Sequence, residues 1–79
     1  MINVYEVLLE GRDGDQGYFI SFKVSTKNED RARELSLQKA NDNGLEIVNI
    51  EEVENVGEVF SDEEKAEQSS GKSYFSLEK

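Results

Sequence analysis

From Ile2 to Glu10, β-branched, aliphatic and aromatic residues run without a breaker, the pattern of a strand. Tyr5, Val7 and Leu9 share one face at period two, and Ile2, Val4 and Leu8 share the other. A second run, Tyr18 to Ser25, alternates more sharply, with Tyr18, Ile20, Phe22 and Val24 against Phe19, Ser21, Lys23 and Ser25. Between them, residues Gly11 to Gly17 are rich in types that tolerate positive φ. The two runs therefore predict an antiparallel hairpin joined by a short loop.

Thr26-Lys27-Asn28-Glu29 has the form of a capping box, with Thr26 at the cap and Glu29 three residues later. From Lys27 to Asp42 there is no Gly, Pro or β-branched residue, which favours a helix. Its apolar stripe is narrow: Ala32, Leu35, Ala40 and Leu37. Glu29 and Arg33 stand four apart, and Asn43-Gly44 supplies a left-handed stop. Strand character returns from Leu45 to Val53. Hairpin, crossover helix and third strand together predict an α+β two-layer sandwich, an antiparallel sheet of order 2-1-3 with one main helix on one face. The expected core is Val4, Val7, Leu9, Ile20, Phe22, Leu35, Ile47 and Ile50.

Apolar residues thin out beyond position 60, so residues 1–60 read as a single ββαβ domain and 61–79 as an appendage. Ser61-Asp62-Glu63-Glu64 repeats the capping signature and Gly71 offers a stop, yet Ala66 is the only apolar residue between them. The segment is expected to be an acidic linker or short helix, mobile over 61–71. Ser73 to Leu77 alternates enough for an added C-terminal edge strand.

Composition narrows the chemistry. The 79 residues contain no Cys or His, which excludes a disulfide scaffold, a Cys or His nucleophile and a His general base. No apolar run approaches the ~20 residues of a membrane span, and no secretory leader is recognisable, so a cytoplasmic location is expected. Net charge is −9, and it is concentrated: residues 46–67 hold nine acids and one base. That sign opposes direct binding to nucleic acid or anionic lipid.

Three groups of residues invite a chemical reading. Asp13-Gly14-Asp15 suggests a calcium loop, but an EF-hand counted from Asp13 fails at Gly17, Tyr18 and Val24, and turn geometry selects the same residues. The carboxylates Glu51, Glu52, Glu54 and Glu58 resemble a catalytic set only if burial separates their pKa values, and their segment is polar. Lys27 and Arg31, one helical turn apart, would suit a phosphate, but neighbouring acids cancel the field. No cofactor or metal site is expected, and the chain does not read as an enzyme. The aromatics Tyr5, Tyr18, Phe19, Phe22, Phe60, Tyr74 and Phe75 read mostly as core.

The segments Val4 to Gly11, Gly17-Tyr18-Phe19 and Gly71-Lys72-Ser73-Tyr74-Phe75 resemble those of a family of small, uncharacterised bacterial β-β-α-β proteins. The resemblance implies the hairpin–helix–strand layout and no activity. Size and acidity are similar to those of small inhibitor proteins of the immunity and anti-CRISPR types, a likeness of composition alone. No functional residue is carried over from either.

One structural tension points towards binding. Strands one and two carry large apolar residues on both faces, and one helix covers only one. The tail, a second copy or a partner must cover the other. The functional expectation, set against a net charge that simply keeps a small protein soluble, is a non-enzymatic module that docks on a basic protein surface through Glu51, Glu52, Glu54, Glu58, Asp62 and Glu63. Glu52 and Glu54 should share one strand face and Glu51 the other. The alternative is a homodimeric ligand-binding or catalytic α+β domain with a site at the dimer seam. A buried acid in a concave pocket would favour the alternative.

Overall fold

The hairpin forms along the alternating segments and runs beyond them. In the computed structural model, which describes residues 1–76, β1 spans Ile2–Asp13 and β2 spans Gln16–Thr26. They pair antiparallel from Asn3 opposite Thr26 to Asp13 opposite Gln16. Only Gly14 and Asp15 remain for the turn, and Gly14 has a φ of 65°. A type II′ hairpin requires positive φ at its first central residue, which glycine reaches without a Cβ penalty. The loop expected over 11–17 is therefore mostly strand.

Helix α1 spans Glu29–Asp42, and its cap is Asn28 rather than Thr26. The Asn28 Oδ1 accepts from the Arg31 amide at 2.8 Å. Thr26 is the fully buried last residue of β2, and its hydroxyl donates to Glu64 instead of capping the helix. The helix ends as expected at Asn43-Gly44, with Gly44 at φ 76°. The Gly44 amide donates to the Asn41 carbonyl and the Leu45 amide to that of Ala40, the bond pair of a Schellman motif. The Glu29–Arg33 pair forms at 2.7 Å.

Strand β3, Glu46–Val59, pairs antiparallel with β1 and completes the 2-1-3 order. Three register shifts interrupt this pairing, so that Val48, Glu51 and Val56 are passed over in the ladder. Each shift inserts one extra residue, so the inward direction recurs after three residues rather than two. Ile47, Ile50 and Val53, spaced by three, consequently all oppose helix-facing positions of β1 (Gly11, Leu9 and Val7). Regular alternation would have turned Ile50 away. At ~3.3 Å per residue, the 14 residues of β3 account for the 45 Å long axis.

The tail makes two short strands where a helix was the competing expectation: β4, Lys65–Gln68, and β5, Ser73–Ser76. Both pair with the edge of β2, giving a five-stranded sheet. With Ala66 alone to bury, a helix at 61–71 would have had no packing face, whereas a strand at the β2 edge gains backbone hydrogen bonds. The Ser61 hydroxyl accepts from the Glu63 amide at 3.1 Å, so the capping signature closes a local turn. Leu77, the last residue of the expected strand, lies outside the described residues.

The core lies between α1 and the sheet. Tyr5, Val7, Leu9, Tyr18, Ile20, Phe22 and Val24 are buried from the sheet, and Ala32 and Ala40 from the helix. Ser36 is buried between the two alanines, its hydroxyl donating to the Arg33 carbonyl at 2.9 Å. Small residues at 32, 36 and 40 let the helix settle onto the large rings beneath it. Of the expected core, Val7, Leu9, Ile20 and Phe22 are buried, whereas Leu35, Ile47 and Ile50 are half-buried against it. Val4 is a correction: it is half-buried on the opposite face of the sheet. Phe60 is another, since it is 94% exposed at the end of β3. Leu37, in the expected stripe, is also exposed.

These burial differences order the stability effects of truncation. Phe22→Ala should cost about 3–5 kcal/mol, and Leu35→Ala, with less area to lose, no more than about 2 kcal/mol. Urea unfolding midpoints of the two variants check the order; an equal or greater loss at Leu35 would place the core elsewhere.

Candidate functional site

Alternation along β1 and β2 sends every second side chain away from α1. In β1 these are Val4, Glu6, Leu8, Glu10 and Arg12, and in β2 Gly17, Phe19, Ser21, Lys23 and Ser25. The register of β3 adds Glu46, Asn49, Glu52 and Glu54, that of β4 adds Lys65 and Glu67, and that of β5 adds Phe75. The tail extends this face sideways and does not cover it. Phe75 reaches over to stack on Phe19, with ring centroids 4.8 Å apart, and the Ser69 hydroxyl reaches Glu6.

The open face is apolar and acidic together. Val4, Leu8, Phe19 and Phe75 are half-buried there. One row across the sheet reads Glu54, Glu6, Lys23, Glu67, which places two carboxylates directly opposite each other. The next places Glu52 opposite Leu8. Glu6 accepts from the Ser69 hydroxyl at 2.9 Å. Among the described residues, Glu10, Glu52, Glu54 and Glu67 make no ion pair. Like charges opposite each other on a sheet are unfavourable, and for Glu6 the opposition of Glu54 is countered by Lys23 on its other side.

The residues singled out in the sequence are only partly brought together. Glu52 and Glu54 share the open face. Glu51 is a bulge residue whose carboxylate accepts from the Asn49 side-chain Nδ2 at 2.7 Å. Glu58 lies opposite Asn3, on the helix side of the sheet. Asp62 faces the N-terminal ammonium at 3.4 Å, and Glu63 lines a cleft of about 220 Å³ with Ser25, Val59, Ser61 and Lys65. The acidic segment is thus divided between two faces and a connection. Glu6 and Glu10 are the members that charge counting missed, and the period of β1 would have revealed both; Glu46 and Glu67 belong to the counted segment and join the face through register, though neither was among the expected docking residues.

A second polar cluster fixes the tail. The Arg31 guanidinium grips Glu64 through Nε at 3.1 Å and Nη2 at 3.0 Å, and reaches Glu34 through Nη1 at 2.7 Å. This fork occupies the cation that would have served a phosphate. Hydrogen bonds from Arg31 and then Thr26 hold the Glu64 carboxyl below its usual pKa, and Arg31 is raised in turn. A cleft of about 470 Å³ beside them is lined by Ile2, Lys27, Arg31, Asp62 and Glu64. At the other end of the tail, Asp13 accepts from the Tyr74 hydroxyl at 2.8 Å and from the Lys72 ammonium at 3.2 Å. These bonds lower the Asp13 pKa and raise those of Lys72 and Tyr74. Every Asp and Glu among the described residues is exposed or half-buried, and no helix there is long and apolar enough to cross a membrane.

Both anchoring carboxylates have depressed pKa values, so their contribution is present above the unfolded values of ~4 and lost as pH falls through the folded ones. Below about pH 4, β4 and β5 should loosen before the hairpin does. Amide protection followed by NMR across that range checks this. Asp13→Asn with Glu64→Gln should remove the pH dependence; an unchanged titration would assign the acid sensitivity to other groups.

Comparison with protein-family models, with curated proteins and with solved structures returned no match to this chain.

Proposed function

We propose that the chain is a non-enzymatic protein-binding module, an inhibitor or adaptor that docks on a basic protein surface. The observation that carries this reading is the open face of the sheet, where Glu52 and Glu54 stand unpaired beside Leu8, Phe19 and Phe75. Carboxylates at the rim steer a cationic partner, and the apolar strip between them holds the complex once formed. The Glu6–Glu54 opposition supports the same reading, since two carboxylates side by side on one face are what a cationic partner would neutralise. A second copy is a poorer occupant: the face carries six carboxylates against three cations, so two copies would repel.

The test separates folding from binding. Glu54→Lys places a cation opposite Glu6 and should stabilise the fold by about 0.5 kcal/mol. The same change combined with Glu52→Lys should slow association with the partner several-fold at low ionic strength and leave dissociation nearly unchanged. The partner is first captured from host extract at low salt and identified, and the kinetics are then measured by surface plasmon resonance. The difference should fade at 1 M salt, where the Debye length is ~3 Å. An on-rate at low salt that ignores the double reversal removes this face as the docking surface.

A further inference from the structure

The second edge of β2 is occupied entirely by the C-terminal segment. Residues 65–68 pair with 22–25, Ser69 and Ser70 bond the Ser21 backbone, and residues 73–76 pair with 16–19. Where β5 lies, the sheet is shaped for the side chains it receives. A Cβ on Gly17 would stand 2.5 Å from the Phe75 ring, so glycine leaves the seat that this ring fills. Tyr18 meets Tyr74 edge-on at 5.7 Å and takes the Lys72 ammonium over its face at 4.7 Å. Asp13 receives both the ammonium and the phenol.

The segment seated there is held lightly. β5 has four residues, pairs with β2 alone, and has only Phe75 half-buried among them. We infer that the Gln16–Phe19 edge is a strand-accepting slot whose built-in occupant is Lys72–Phe75, and that the docking partner replaces it with an extended segment carrying a cation and aromatic residues. The inference rests on docking at the open face, with which the slot is continuous through the Phe19–Phe75 stack. Strand addition at a sheet edge obtains affinity from main-chain bonds and selectivity from alternate side-chain seats. A cationic segment suits Asp13, and a basic partner supplies one. A tethered occupant acts at an effective concentration of roughly millimolar, so a free peptide making the same contacts competes poorly. A partner that also holds the open face overcomes this barrier, which makes the tail a gate.

The probe is a dye-labelled peptide GKSYFS, titrated by fluorescence anisotropy into the full-length chain and into full-length Tyr74→Ser/Phe75→Ser. The double variant should bind it saturably, with a Kd of about 1 mM or below, and the unaltered chain about tenfold or more weakly. Gly17→Val added to the double variant should abolish binding by filling the ring seat. Absence of saturable binding to a double variant that keeps its circular dichroism and Tm overturns the slot. If that variant does not fold, Phe75→Ala alone takes its place under the same criterion. A concentration-dependent dimer of the unaltered chain in gel filtration, lost on Gly17→Val, would assign the slot to a second copy and overturn the partner assignment. The peptide titration contains no partner, so its failure is distinct from failure of the open-face kinetics.

Discussion

The β1–β2 hairpin beneath α1 is the contact on which the rest depends. Seven large side chains of one hairpin face, from Tyr5 to Val24, are buried against a helix whose own buried residues are Ala32, Ser36 and Ala40. The division of labour is unequal: the sheet supplies the bulk and the helix supplies closeness. Small residues four apart allow a short separation, so rings as large as Tyr18 and Phe22 lose their exposure without a broad apolar stripe on the helix. Gly11 serves the same end within the sheet, since a Cβ there would meet the Tyr18 ring at 2.3 Å.

That economy leaves the second face of the sheet without a layer. Both strands of the hairpin carry apolar residues there, and the 17 described residues after β3 form two short strands that extend the sheet sideways. The chain thereby widens its open face and places Lys65, Glu67 and Phe75 on it. The bulges of β3 act on both sides at once. They turn three spaced apolar residues towards the helix, and they set Glu52 and Glu54 outward beside Leu8 and Glu6. An irregular, charged strand also makes a poor template for edge pairing, which protects the long free side of β3.

The tail is fastened by strand pairing with β2, by polar contacts at both ends, and by ring contacts of Tyr74 with Tyr18 and of Phe75 with Phe19. Arg31 and Thr26 converge on Glu64, while Lys72 and Tyr74 converge on Asp13. The ion pairs among them, Arg31–Glu64 and Lys72–Asp13, position the segment more than they stabilise it, because solvent-accessible pairs gain little over solvation. A tail so held is the part of the fold most readily exchanged.

Much of this was legible in the chain itself. Period-two alternation determined the hairpin and the partition of its faces, because a strand has only two directions for a side chain. A run free of Gly, Pro and β-branched residues, closed by Asn43-Gly44, determined the helix and its stop. The excess of acids in 46–67 was equally plain. What alternation could not show was the path of β3, where three bulges depend on pairing with β1 and bring Ile47 and Ile50 to one side. Nor could it show that Thr26 serves Glu64 rather than the helix cap, or that Asp13 in the hairpin turn holds Tyr74 from 61 residues away. Those choices rest on contacts between distant segments, and local propensity carries no information about which distant group will arrive. The acidic segment is uniform as a sequence and divided as a surface for the same reason: charge is counted along the chain, but its direction is decided by the register of the strand that carries it.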